Sequence, residues 1–128
     1  MDKQTLLFLL KGGHMDMSTR IEKGLWPHEP LRINECVEVI SEYLQSHKYF
    51  PVLWIEKKDG MLIGDLLVIE KISEKEFICH YRYSHPIDLL KISDEGKKKF
   101  KTARAAIKYY LHHELYLPGD LDGWKVIE

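Results

Sequence analysis

The sequence predicts an α+β domain: a largely antiparallel sheet of four to six strands with two amphipathic helices packed on one face. Three observations lead there. Residues 32–48 and 102–115 repeat apolar side chains at helical spacing. Residues 76–84 alternate at strand spacing. Between the two helical segments, short apolar runs succeed one another across tight turn signals, the pattern of hairpins. A length of 128 residues suits one domain spanning the whole chain.

The apolar run Leu6–Leu10 is five residues long. A signal-peptide core needs about 7–15 and a membrane span about 20, so neither is expected. Gly13-His14-Met15 resembles the scar of an expression vector, which marks residues 1–14 as partly vector-derived on that reading. Thr5–Leu10 nevertheless reads as a short native strand. Residues 11–31 have three glycines, two prolines and no steady period, which predicts an irregular connection. Trp26 is expected to pin it to the core.

The first helix is predicted over 32–48, with Ile33, Cys36, Val37, Ile40 and Leu44 on one face and Asn34 or Ile33 at its entry. Pro51 blocks any helical extension past His47-Lys48. VLWI (52–55) reads as a short strand, Lys57-Lys58-Asp59-Gly60 as a turn, and 61–72 as a strand broken at Gly64-Asp65. Ser73-Glu74-Lys75 leads into the alternating strand 76–84, in which Phe77, Cys79, Tyr81 and Tyr83 share one face. Ile87–Ile92 is expected as another strand, turned at Asp94-Glu95-Gly96 into Lys97–Lys101. The second helix starts at Thr102, presents Ala103, Ala106, Ile107, Tyr110, Leu111 and Leu115, and stops at Pro118-Gly119. Trp124–Ile127 reads as a terminal strand.

The chain ends LYLPGDLDGWKVIE. Asp120-Leu121-Asp122-Gly123 resembles the opening of a calcium loop, but the third oxygen ligand and the later bidentate Glu are missing. Asp and Gly are also turn residues, so a double turn that returns the tail to the domain is expected. His112-His113-Glu114 lacks the i, i+4 spacing that lets two imidazoles share a metal on a helix. Cys36 and Cys79 fit no zinc spacing and read as buried free thiols in a reducing cytoplasm. No cofactor fingerprint is present, and neither a metal nor a cofactor is expected.

A net charge of −1 selects neither nucleic acid nor anionic membrane. Residues 91–108 nonetheless hold seven Lys or Arg against two carboxylates. Arg82, Lys97, Lys98, Lys99, Lys101 and Arg104, with Tyr81 and Tyr83, form a candidate nucleic-acid surface; the plainer reading is a solvated lysine edge. His80 and His85, with Asp120 or Asp122 as partner, form a candidate general base for a small hydrolase or nuclease. Seven Tyr and three Trp, several placed in expected connections, point instead to protein binding. The expected interface is the loop of Trp26, His28 and Glu29, together with Asp120, Asp122 and Trp124.

In size and composition the chain is similar to immunity-type inhibitors of bacterial toxins. That likeness implies a cytoplasmic, non-enzymatic binding module whose partner is another protein.

Overall fold

The computed structural model describes residues 1–11, 13–26, 30–50, 56–58, 61–63, 66–84, 92–112 and 125–128; for 56–58, 61–63, 66–67, 81–84 and 92–95 it describes the backbone alone. The elements in chain order are α1 (Lys3–Leu10), α2 (Met17–Glu22), β1 (Leu31–Arg32), α3 (Ile33–Tyr43), β2 (Tyr49–Phe50), β3 (Glu56–Lys58), β4 (Met61–Ile63), β5 (Leu66–Ser73), β6 (Glu76–Ser84), β7 (Ile92–Phe100), α4 (Ala103–His112) and β8 (Val126–Ile127). The α+β expectation holds: an antiparallel sheet in the order β2-β5-β6-β7 carries helices against one face. Two small pairs stand beside it, β3 antiparallel to β4 and β1 parallel to β8.

The N-terminal run is a helix, not the expected strand. Asp2 caps α1, accepting from the Thr5 backbone N–H at 2.8 Å and from its hydroxyl at 2.9 Å. With the start fixed, Leu6, Leu9 and Leu10 fall on one face and bury there. An unbroken LLFLL run shows no period by itself, so capping and the partner surface of α3 decide its form. Lys3 adds an ion pair to Glu38 on α3.

The segment 11–31 is also more regular than expected. Asp16 caps α2 through the Thr19 N–H at 2.7 Å. The helix closes at Gly24, whose φ of +71° suits glycine. Gly24 N–H donates to Ile21 O and Leu25 N–H to Arg20 O, the paired bonds of a Schellman cap, whose next residue turns inward. That residue is Leu25, 4% exposed, while Trp26 is 50% exposed. Leu25, not Trp26, pins the connection.

α3 buries Ile33, Cys36, Val39 and Ile40. Its N-cap is Arg32, which makes no side-chain cap bond; Asn34 lies inside the helix and accepts from Arg104 at 2.5 Å. Tyr49 and Phe50 form an edge strand, and Phe50 is fully buried.

β6 has the expected bounds, and the turn at Glu74-Lys75 joins it to β5. Asp94-Glu95-Gly96 is not a turn. The three residues lie within β7 and pair with Tyr83, Arg82 and Tyr81. A full ladder from β6 overrides their local turn preference. The expected strand 87–92 lies outside the described residues except for Ile92, as do 52–55, Gly64-Asp65, Leu115 and Pro118-Gly119.

α4 begins as expected: the Thr102 hydroxyl accepts from Ala105 N–H at 3.2 Å. It lays Ala106, Ile107, Tyr110 and Leu111 into the core. From the sheet, Phe50, Ile69, Phe77 and Cys79 meet them, and α1 and α3 complete the cluster. The Phe50 ring stands edge-on to Tyr110 at 5.9 Å and to Tyr43 at 5.5 Å. The terminal segment does return to the domain: Lys125 O accepts from Leu31 N–H at 2.7 Å, and Glu128 pairs with Arg104 and Lys108 on α4. No helix of the described residues is long and apolar enough to cross a membrane.

Phe50→Ala removes the ring shared by β2, α3 and α4. It is expected to cost about 3–5 kcal/mol in urea denaturation, as large-to-small core changes do. A loss below about 1 kcal/mol, the level of surface changes, would contradict this placement.

Candidate functional site

Two places on the described surface stand out, on opposite sides of the sheet. The first belongs to α1 and α2. Of the six large apolar side chains left most exposed among the described residues, five are Met1, Phe8, Met17, Ile21 and Trp26. Met17 and Ile21 are four apart on α2 and therefore share a side. Phe8 is set by its neighbours: the space a Cβ on Gly13 would take is already occupied by its ring, 2.5 Å away. The ring divides two shallow grooves. One, about 460 Å³, is lined by Gln4, Leu7, Phe8, Lys11 and Gly13. The other, about 410 Å³, runs from Thr5 and Phe8 to His14, Asp16, Thr19 and Lys23. Asp16 caps α2 and Asp2 caps α1, both from exposed positions. The groove linings therefore carry both signs, Lys11 in the first and Lys23, His14 and Asp16 in the second.

The second place is a row across the far face of the sheet. His80 on β6 reaches Glu70 on β5, Nε2 to Oε1 at 2.8 Å. The other carboxylate oxygen takes Lys48 Nζ at 3.3 Å. The Glu70 side chain is 13% exposed and that of His80 36%. Burial pushes the Glu70 carboxyl up, but the His80 bond and the bond and charge of Lys48 outweigh it and hold the group below the ordinary carboxylate range. An imidazole oriented by a carboxylate is the geometry of a general base. Glu70 is not among the sequence-based candidates; Asp120 and Asp122, either of which is expected there, lie outside the described residues.

The expected basic surface is divided rather than continuous. Lys97 and Lys99 share the His80 face by register. Lys98 faces the helices, 5.0 Å from the Tyr109 ring centre. Arg104 is engaged by Asn34 and Glu128, and Lys101 is exposed beyond the end of β7. The Arg82 side chain lies outside the described residues, as do His28, Glu29, His85, Asp120, Asp122 and Trp124. Of the expected protein interface, Trp26 alone is described, and it is exposed.

The two cysteines are buried and free, as expected. Burial pushes both thiols up to about 12, with Glu35 adding to it at Cys36 and Lys98 opposing it at Cys79. Neither is a thiolate at neutral pH. Among the described residues no group of three His, Cys, Asp or Glu is placed to hold a metal ion. Phe8, Met17, Ile21, Lys48 and Glu70 are missing from the sequence-derived candidates. The available signals were the i, i+4 pair after Asp16 and a lone carboxylate within the apolar stretch LLVIEKI. No protein-family model, curated protein or solved structure matches the chain.

A carboxyl held below its ordinary value stabilises the fold above the carboxylate range, and that stability is lost as pH falls through the lowered value. Denaturation midpoints between pH 3 and 7 should therefore fall more steeply for the natural chain than for Glu70→Gln below about pH 4.3. Identical pH slopes would contradict the role given to Glu70.

Proposed function

We propose that this chain is a non-enzymatic protein-binding module that docks through the α1–α2 surface. The observation behind this reading is the exposure of Phe8, Met17, Ile21 and Trp26 within 19 residues, against two exposed large apolar residues, Met1 and Ile72, in the rest of the described chain. Exposed apolar surface concentrated in this way is the usual sign of a recognition site, and aromatic side chains supply large contact area at low entropic cost. The Phe8 ring is already fixed against Gly13, so little ordering remains to be done on binding.

The surface gives the partner its chemistry: an apolar segment with polar flanks, held by the apolar contacts and oriented by Lys11, Lys23 and Asp16 at the rims. The particular form of this proposal favoured by size and composition is an immunity-type inhibitor acting on a toxin or another enzyme in the cytoplasm.

The test is capture from lysate of the native host at moderate salt, read by mass spectrometry, with the natural chain and with Met17→Gln/Ile21→Thr. These near-isosteric changes alter polarity and little else, and stability should shift by less than about 1 kcal/mol. A single partner at near-stoichiometric yield, with binding at least about tenfold weaker for the variant, is expected. Capture unaffected by the substitutions, or abolished by nuclease, would remove this reading.

A further inference from the structure

The sheet face turned away from the helices carries an arrangement independent of the α1–α2 surface. Register sets it out. His80 stands opposite Val68 on β5 and Lys97 on β7, and Ile78 stands opposite Glu70 and Lys99. Residues paired across strands share a face, so these six stand together. Val68 and Ile78 are 1% and 8% exposed, yet neither belongs to the helix-side core cluster. They form an apolar floor. Around it stand the three ammonium groups of Lys48, Lys97 and Lys99, one carboxylate and one imidazole.

The charges do not cancel. Glu70 is occupied on both oxygens, by His80 and Lys48. Lys97 and Lys99 have no ion-pair partner among the described residues. With neutral His80, the three lysines and Glu70 leave two positive charges uncompensated. Directly opposed residues hold their Cβ atoms about 4.5–5.5 Å apart, and Lys99 lies about 7 Å further along β7. Two flexible lysines and the other ring nitrogen of His80, Nδ1, which the bond to Glu70 does not use, can therefore converge on one small group.

We infer that this face binds a phosphate dianion, free or as a terminal phosphate monoester, held by Lys97 and Lys99 with protonated His80 donating from Nδ1. The dianion matches the two unpaired lysines, and its oxygens match the convergent donors. Glu70 acts as a positioning residue: it holds Nε2 and leaves Nδ1 for the anion. Neutral His80 donates its one proton to Glu70 and turns a lone pair toward the anion, whereas the imidazolium turns a donor toward it. Binding is therefore strong on the acid side of the imidazole titration and weakens as pH rises through it. Among the described residues the charged groups facing His80 are Lys48 ahead of β2, Glu70 on β5, and Lys97 and Lys99 on β7. Arg82 and Glu95 pair by backbone register two residues along.

The experiment needs no variant to begin. Imidazole signals of the natural chain are followed by NMR through a pH titration, in chloride and with added inorganic phosphate. The His80 midpoint is expected to rise by about half a pH unit or more, saturating with phosphate, while exposed His47 and His112 stay in place. Lys97→Gln and Lys99→Gln should each weaken phosphate roughly three- to tenfold, and Lys101→Gln should not. Glycerol phosphate forms a second arm; whichever of the two saturates at lower concentration identifies the source, free anion or monoester. A His80 midpoint that moves no more than those of His47 and His112 overturns the proposal. So does a short single-stranded oligonucleotide that saturates this face when neither phosphate nor the monoester does, which would assign it to a nucleic-acid backbone.

Discussion

The packing of α4 on the β5–β6 pair is the contact on which the rest of the structure depends. Ala106 is fully buried in this contact. Its small side chain lets the helix backbone come near enough for the Cys79 thiol to donate to the Ala106 carbonyl at 3.4 Å. One turn later Tyr110 reaches Phe50, so the same helix ties the edge strand β2 to the sheet. α3 closes over this seam, and α1 over α3. Because strand side chains alternate, this one contact assigns the whole sheet. Phe50, Ile69, Phe77 and Cys79 must face the helices, and Glu70, His80, Lys97 and Lys99 must face away. In a register shifted by one residue Glu70 would lie on the opposite face from His80, and Lys97 and Lys99 would leave the His80 face together.

The elements legible in the sequence are those whose periodicity and punctuation agree. β6 alternates and is preceded by a turn; α4 has a threonine cap and a clean apolar stripe. Both lie where the pattern puts them. The misreadings have a common cause: a local signal was outvoted by something not local, or was absent. LLFLL is equally a buried strand and a buried helix by composition, and the deciding residue is Asp2, outside the run. Asp94-Glu95-Gly96 is turn-prone in isolation, but opposite Arg82 and its neighbours it completes a ladder. Trp26 draws the eye as a core residue, yet the glycine two places earlier fixes which side chain turns inward.

The candidate sites were legible to different degrees. His80 could be singled out from its place in an alternating strand, but its carboxylate could not be chosen without the β5–β6 register. The α1–α2 surface was harder still. An exposed apolar residue and a buried one look alike in sequence, and Met17 and Ile21 count as surface only because α2 buries none of its residues. The basic stretch around Lys97–Lys99 looked like one patch, and a strand necessarily splits it, with Lys98 turned to Tyr109 and its two neighbours turned the other way.

The central claim is that the α4–β5–β6 seam, with Phe50 locked beneath it, holds the fold, while α2 is held mainly by its own caps. Native-state hydrogen exchange tests it most directly. The amides of Ile69, Cys79, Ile107 and Tyr110 should exchange slowest, with opening free energies equal to that of global unfolding, and those of α2 far faster. Protection in α2 matching or exceeding that of the seam would contradict the account.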